Sequence, residues 1–103
     1  KQRFTAFQFD YPEAALETRI LASESGIDAA TAAQLVSIGA AARRLKGRGL
    51  DEGISTRLLV YAATLIRNGV AAGDACRMAL VRPITDDRDI RDTLDHAIDA
   101  VFA

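Results

Sequence analysis

Apolar residues recur at intervals of three and four positions along most of the chain, which is the pattern of amphipathic α-helices. Four such stripes are separated by short polar or glycine-containing segments. A fifth, shorter helix is predicted over residues 73–81, ahead of Pro83, which cannot continue it. The pattern therefore predicts an all-α fold, a compact bundle of about five short helices. The four stripes are Leu16, Ile20 and Ser23 with Leu21 beside them; Leu35, Ile38, Ala42 and Leu45; Leu58, Ala62 and Leu65 with Leu59, Ala63 and Ile66 beside them; and Ile90, Leu94, Ala97 and Val101 with Ile98 beside them.

Residues with strong preferences for helix ends mark where these helices start and stop. Ser, Thr and Asp side chains accept hydrogen bonds from the free N–H groups of a first turn, whereas Gly adopts the left-handed conformation that ends a helix. Gly39 lies inside the second helix, where it costs roughly 1 kcal/mol relative to Ala, and it favours close approach by another helix. The predicted boundary residues are Pro12 and Gly26, Asp28, Ser55 and Asn68-Gly69, and Thr85 or Asp87 for the last helix.

The first ten residues differ from the rest, because residues 4–9 form a short β-prone run. A single strand cannot satisfy its own backbone N–H and C=O groups, and no later segment resembles a partner. We therefore expect this strand to belong to a sheet that lies upstream of residue 1, in a larger protein.

Composition narrows the class of protein. A chain of 103 residues forms one domain, and its net charge of -1 argues against a surface built to grip nucleic acid. No apolar stretch is long enough to span a bilayer. Cys76 and His96 are the sole residues of their types, so neither an internal disulfide nor a Ser/His/Asp triad is indicated. These features favour a cytoplasmic protein without a metal site.

Arg57 is the residue whose position calls for an explanation. It lies in the first turn of the helix capped by Ser55, where the helix dipole disfavours a cation. Free N–H groups and an arginine together suit an anion such as a phosphate. The alternative is an ion pair with Asp51 or Glu52, and spacing alone favours that alternative.

Two further charged clusters are explained by helix dipoles. Cations at the end of the second helix and acidic residues at the start of the last one are each stabilised in this way. The basic cluster lacks the interleaved aromatic residues of a nucleic-acid site, and the acidic one lacks the spacing and glycine of a calcium loop. The clusters are Arg43, Arg44, Lys46 and Arg48, and Asp86, Asp87, Asp89 and Asp92.

Three blocks of sequence resemble the C-terminal region of the CbbQ/NirQ/NorQ proteins, which are MoxR-type AAA+ ATPases. They are GLDEGISTRLLVYAA at residues 49–63, CRMALV at residues 76–81 with the Pro, Thr and Asp residues up to position 87, and QRF at 2–4 with FDYP at 9–12. The resemblance covers essentially the whole chain. It implies that residues 1–10 are the last strand of an absent upstream AAA+ core and that residues 11–103 are the helical lid.

The resemblance also implies roles for individual residues. Arg57 falls at the sensor-2 position, where an arginine at the start of a lid helix reaches the γ-phosphate of ATP. Arg3 resembles an arginine finger that acts on a neighbouring subunit, and Tyr11 and Pro12 match positions that line the adenine pocket. The phosphate-binding loop and the acidic Mg²⁺-binding strand do not occur in the chain, so we expect no ATP hydrolysis by this piece alone.

The function implied is that of a homo-hexameric ATPase that uses ATP and Mg²⁺ to remodel a target enzyme. The targets implied are Rubisco for the CbbQ branch and nitric oxide reductase for the NorQ and NirQ branch, with a von Willebrand A domain protein as partner. The alternative is a stand-alone helical interaction module with no nucleotide role, in which Arg57 pairs with an internal carboxylate and residues 1–10 are a disordered tail.

Overall fold

The computed structural model describes residues 13–44 and 54–102, and the regular structure in these two ranges is entirely helical. Five α-helices follow one another, and the fourth continues directly into a π-helical turn. The predicted all-α fold of about five short helices is confirmed, whereas the strand predicted within residues 1–10 lies outside the described residues. In chain order the elements are α1 (Ala14–Ser25), α2 (Ala29–Arg43), α3 (Thr56–Arg67), α4 (Ala72–Cys76), the π turn (Arg77–Val81) and α5 (Arg88–Phe102).

Capping hydrogen bonds confirm several of the predicted helix boundaries. Gly26 has a φ of 80°, and its N–H donates to a carbonyl in the last turn of α1 at 2.9 Å. Asp28 and Ser55 each accept a hydrogen bond from an N–H in the first turn of the helix that follows, at 2.9 and 3.2 Å. Asp87 caps α5 by accepting from two N–H groups of its first turn, whereas Thr85 accepts from the N–H of Asp87 itself.

The core lies where α1, α2 and α3 pack against one another and where α5 packs on α2 and α4. The described residues of the apolar stripes predicted for α2, α3 and α5 face this core, although several of them are only half-buried, namely Leu58, Leu65 and Ile66 of α3 and Ala97 and Val101 of α5. Leu45, the last residue predicted for the α2 stripe, lies outside the described residues. The largest fully buried apolar side chains are Leu21, Leu35, Ile38, Ile54, Leu59, Leu80, Leu94 and Ile98.

Gly39 of α2 packs directly against Leu59 of α3. A Cβ atom built on this glycine would lie 3.0 Å from Cδ1 of Leu59, which is itself completely buried. The close approach predicted from the glycine inside α2 is confirmed, because a larger residue would have to displace the Leu59 side chain.

The stripe predicted for α1 is wrong at Leu16 and Ser23, whereas the predicted burial of Leu21 is confirmed. Leu16 is 44% exposed and Ser23 is also exposed, while the buried residues of α1 are Leu21 and Glu17. The face of α1 that packs on the core is therefore shifted by one residue from the predicted one, and it includes the carboxylate of Glu17. A carboxylate is buried at acceptable cost only where charged and hydrogen-bonding partners meet it, so the orientation of α1 depends on residues elsewhere in the chain.

The π turn interrupts the fourth helix, which the sequence pattern predicts as continuous over residues 73–81. The N–H of Arg82 donates to the carbonyl of Arg77, five residues earlier, at 3.1 Å. A wider turn rotates each successive residue through a smaller angle than an α-turn does. Three consecutive side chains, Ala79, Leu80 and Val81, are accordingly all buried.

The part of the chain that the structure describes offers little other reactive chemistry. It contains no helix that is long and apolar enough to cross a membrane. It also contains no group of three or more His, Cys, Asp or Glu side chains arranged to hold a metal ion. Cys76 is completely buried, and burial raises the pKa of its thiol to about 12, so the thiol stays protonated at neutral pH.

Candidate functional site

The candidate site is the start of α3. Ser55 caps the helix, and the preceding residue, Ile54, is completely buried and anchors the chain at this point. Arg57 follows in the first turn and is exposed to solvent. Within residues 13–44 and 54–102, Arg57 forms no salt bridge. Its guanidinium is therefore directed to the surface at the end of the helix where the dipole is positive.

The carboxylates proposed as internal partners of Arg57 are not among the described residues. Asp51 and Glu52 both lie in the stretch 45–53. The choice between an internal ion pair and an external anion consequently stays a matter of prediction. Arg3, Tyr11 and Pro12, for which roles are predicted from resemblance, also lie outside the described residues.

The carboxylate of Glu17, which the sequence does not predict to be buried, lies against the start of α3 on the core side. Glu17 has no exposed surface, and both of its oxygens are engaged. Nη1 and Nη2 of Arg43 donate to Oε1 and Oε2 at 2.8 and 2.7 Å, and the hydroxyl of Thr56 donates to Oε2 at 2.6 Å. Such a paired, charge-assisted arrangement is short and strongly directional.

Arg43 extends this cluster to the backbone. Its Nε donates to the carbonyl of Ile54 at 2.9 Å, and its side chain is only 12% exposed. Arg43 does lie in the last turn of α2, as the dipole interpretation requires. That interpretation is nevertheless insufficient, because the side chain turns inward to Glu17 and to the segment that leads into α3. Arg43 is thus not available to a basic surface patch.

The electrostatics of Glu17 follow from its neighbours. Burial alone raises the pKa of this carboxyl, but the hydrogen bonds from Arg43 and Thr56 and the charge of Arg43 outweigh burial, so the pKa lies below its ordinary value of 4.5. Glu17 is therefore ionised at neutral pH and balances the positive charge of Arg43.

A second polar feature lies between the π turn and α5. Arg77, Arg82, Arg91 and Asp95 line a groove there together with Val81. The Arg77 guanidinium is already neutralised, because it lies 3.3 Å from Oδ1 of Asp95 and 2.8 Å from Oδ1 of Asp99. These pairs join the π turn to α5.

The sequence gives only an indirect indication that Glu17 is buried. The α1 stripe is ambiguous, because Leu16 and Leu21 lie on different faces and the helix can bury either one. The partner, Arg43, is 26 positions away, and Thr56 is 39 positions away. Neither separation is one that helix periodicity can pair.

Comparison with known proteins matches this helical region to one family. The sequence profile described as CbbQ/NirQ/NorQ C-terminal matches residues 17–101. Protein CbbQ of Hydrogenophilus thermoluteolus is 58% identical over 103 residues, which is 100% of this chain and 39% of that protein. Protein NorQ of Paracoccus denitrificans is 44% identical over 102 residues, which is 99% of this chain and 38% of that protein.

A third relative carries a functional description in its name. The denitrification regulatory protein NirQ of Stutzerimonas stutzeri is 49% identical over 87 residues, covering 84% of this chain and 32% of that protein. The chain thus spans about two fifths or less of the length of these curated relatives.

Proposed function

Because the chain belongs to the CbbQ/NirQ/NorQ C-terminal family, we propose that it is the helical lid of a AAA+ ATPase and that Arg57 contributes to the binding and hydrolysis of ATP. The observation that carries this proposal is the exposed Arg57 in the first turn of α3, with no salt bridge to another described residue. A phosphate at this end of the helix supplies the negative charge that the dipole and the guanidinium both favour.

The remaining parts of the nucleotide site belong to the upstream core in this proposal. Residues 1–10 are the last strand of that core and residues 11–103 are the lid. Tyr11 and Pro12 line the adenine pocket between the two, and Arg3 acts as the arginine finger on the next subunit of a homo-hexamer. The core holds the ATP phosphates and Mg²⁺. The curated relatives support this division, because each extends well beyond the region that this chain matches.

The parent protein, in this proposal, is a cytoplasmic ATPase that remodels a target enzyme together with a von Willebrand A domain protein. The two candidate targets are Rubisco, for a CbbQ-like protein, and nitric oxide reductase, for a NorQ- or NirQ-like protein. The identity of 58% with CbbQ against 44% with NorQ favours the Rubisco branch.

The test is steady-state ATP hydrolysis by the full-length parent with Arg57→Ala. We expect turnover to fall on the order of 10³-fold, the range found for arginines that stabilise a transferring phosphoryl group, while the protein stays folded. Arg67→Ala is the matched control, because Arg67 is an exposed arginine at the opposite end of α3, and it should leave turnover unchanged.

Two results contradict the proposal. Unchanged turnover with Arg57→Ala removes the sensor role. Equal losses from Arg57→Ala and Arg67→Ala show that any positive charge on α3 has the same effect, and that Arg57 has no special position relative to the phosphate.

A further inference from the structure

Resting on the proposed role of Arg57, we infer that Glu17, Arg43 and Thr56 are positioning residues that hold the start of α3 so that Arg57 meets the phosphate in a fixed orientation. We call these three side chains the Glu17 clamp. None of them is expected to touch ATP. Their effect on the reaction is transmitted through the backbone that carries Arg57.

The clamp holds two residues that come just before Arg57 in the chain. Thr56 is the neighbour of Arg57 in the chain, and its hydroxyl is held at 2.6 Å by Glu17. The carbonyl of Ile54 is held at 2.9 Å by Arg43. Two positions within three residues of Arg57 are therefore each fixed by a short hydrogen bond to the same buried ion pair.

The clamp joins three separate helices at this point. Glu17 comes from the first turn of α1, Arg43 from the last turn of α2, and Thr56 is the first residue of α3. The position and orientation of the N-terminus of α3 thus depend on both α1 and α2. A displacement of the start of α3 relative to α1 and α2 requires at least one of these hydrogen bonds to break.

The chemistry of the clamp suits positioning better than it suits stability. A buried ion pair contributes little net stability compared with apolar residues of the same volume, because both charges must be desolvated. Hydrogen bonds, by contrast, fix distances and angles that apolar contacts leave free. Misplacement of a catalytic group by about 1 Å can cost on the order of 10²-fold in rate.

The experiment is a double-mutant cycle in the full-length parent, read as kcat and as the Kd of Mg²⁺·ATP. Thr56→Val removes the hydroxyl donor but keeps the shape of the side chain. We expect it to lower kcat about 10- to 100-fold, and we expect Thr56→Ser, which keeps the donor, to restore most of the loss. In the Arg57→Ala background the same Thr56→Val change should have no further effect, because the residue being positioned is already gone.

Thr64→Val is the matched control. Thr64 lies on the same helix, it is half-buried like Thr56, and its hydroxyl donates to the carbonyl of Val60 within α3 at 2.9 Å. Losing that bond should leave kcat and the Kd unchanged. Should Thr56→Val not fold, Thr56→Ala and Thr56→Ser are compared in its place, because that pair also differs by the donor hydroxyl.

The outcomes separate the two proposals. If Arg57→Ala alone changes neither kcat nor the Kd, the sensor role is wrong and the positioning role is lost with it. If Arg57→Ala lowers kcat but Thr56→Val lowers it by the same factor in both backgrounds, Thr56 acts independently of Arg57, and the positioning role alone is overturned. If Thr56→Ser is as impaired as Thr56→Val, the hydrogen bond to Glu17 is not what matters, and the positioning role is again overturned.

Discussion

The guanidinium of Arg43 covers the carboxylate of Glu17 and donates one hydrogen bond to each of its oxygens, at 2.8 and 2.7 Å. The two residues are far apart in sequence, because Glu17 lies in the first turn of α1 and Arg43 in the last turn of α2, and these two helix ends meet in the fold. This pairing places one buried negative charge and one largely buried positive charge in a core whose other buried residues, among those described, are apolar. It explains why α1 turns Glu17 inward and leaves Leu16 at the surface.

Glu17→Gln should destabilise the chain, because Arg43 keeps its charge but loses its ionic partner. Breaking one side of a buried pair costs roughly 3–5 kcal/mol, and we expect a value near the lower end because Arg43 keeps some contact with water. Urea denaturation followed by circular dichroism measures the change. Glu24→Gln is the control, because Glu24 is exposed on the same helix and should change the free energy of unfolding by less than about 0.5 kcal/mol. Equal effects of the two substitutions would contradict a special role for Glu17.

The stability supplied by Glu17 should depend on pH. Since the pKa of this carboxyl is lowered in the folded protein, its contribution is fully present above the ordinary value of 4.5 and is lost as the pH falls through the lower, folded pKa. The free energies of unfolding of wild type and Glu17→Gln should therefore converge as the pH falls below about 4.5. Asp28, whose pKa is lowered chiefly by the hydrogen bond from the Thr31 N–H, also titrates there, but it is common to both proteins and cancels in the difference. If the difference stays constant from pH 7 to pH 3, the pKa of Glu17 is the same in the folded and unfolded states, and the prediction is wrong.

Arg57→Ala in the chain of residues 1–103 should leave stability unchanged or raise it slightly. A cation in the first turn opposes the helix dipole, and removing it is worth roughly 0.3–1 kcal/mol at an exposed site. Arg43→Ala provides the contrast, because it leaves Glu17 buried without its charge partner and should lower the melting temperature strongly. If Arg57→Ala also lowers the melting temperature strongly, Arg57 has an internal carboxylate partner, as the interaction-module alternative requires.

Gly39→Ala should fail to stabilise α2 despite the better helix propensity of alanine. The new methyl group would lie 3.0 Å from Cδ1 of Leu59, and the fully buried Leu59 has little room to move. We expect a net loss of about 1 kcal/mol, since overpacking of a core typically costs more than the propensity gain. Ala40→Gly, at the exposed neighbouring position, measures the propensity difference alone. A gain of about 1 kcal/mol from Gly39→Ala would mean that α2 and α3 separate easily at this crossing.

The parts of the fold that local sequence determines were predictable. Gly26, Asp28 and Ser55 act through hydrogen bonds to groups within four residues, so their roles are visible in a short window of sequence. The stripes of α2, α3 and α5 were predictable for the same reason, because apolar residues there recur over several turns.

The Glu17 clamp was not predictable, because its members are brought together only by tertiary packing. Hydrophobic periodicity assigns a glutamate to the surface, and nothing near Glu17 in the chain indicates that Arg43 will meet it. Of the site residues taken from family resemblance, Arg57 lies in the first turn of α3 and is exposed in the structure. Its contact with phosphate stays a prediction. Arg3, Tyr11 and Pro12 stay predictions entirely.

The π turn holds one residue more than an α-helical turn does. Removing one residue between Arg77 and Val81 would allow ordinary α-helical bonding, in which each residue turns through a larger angle, so that the helical segments on either side would keep nearly the same relative rotation. The consecutive buried residues of the turn would then spread over a wider arc, whereas Arg77 would stay aligned with Asp95 and Asp99 on α5. A single-residue deletion here is therefore expected to disturb the neighbouring helices less than the same deletion in the middle of α3, where the bonding is α-helical throughout.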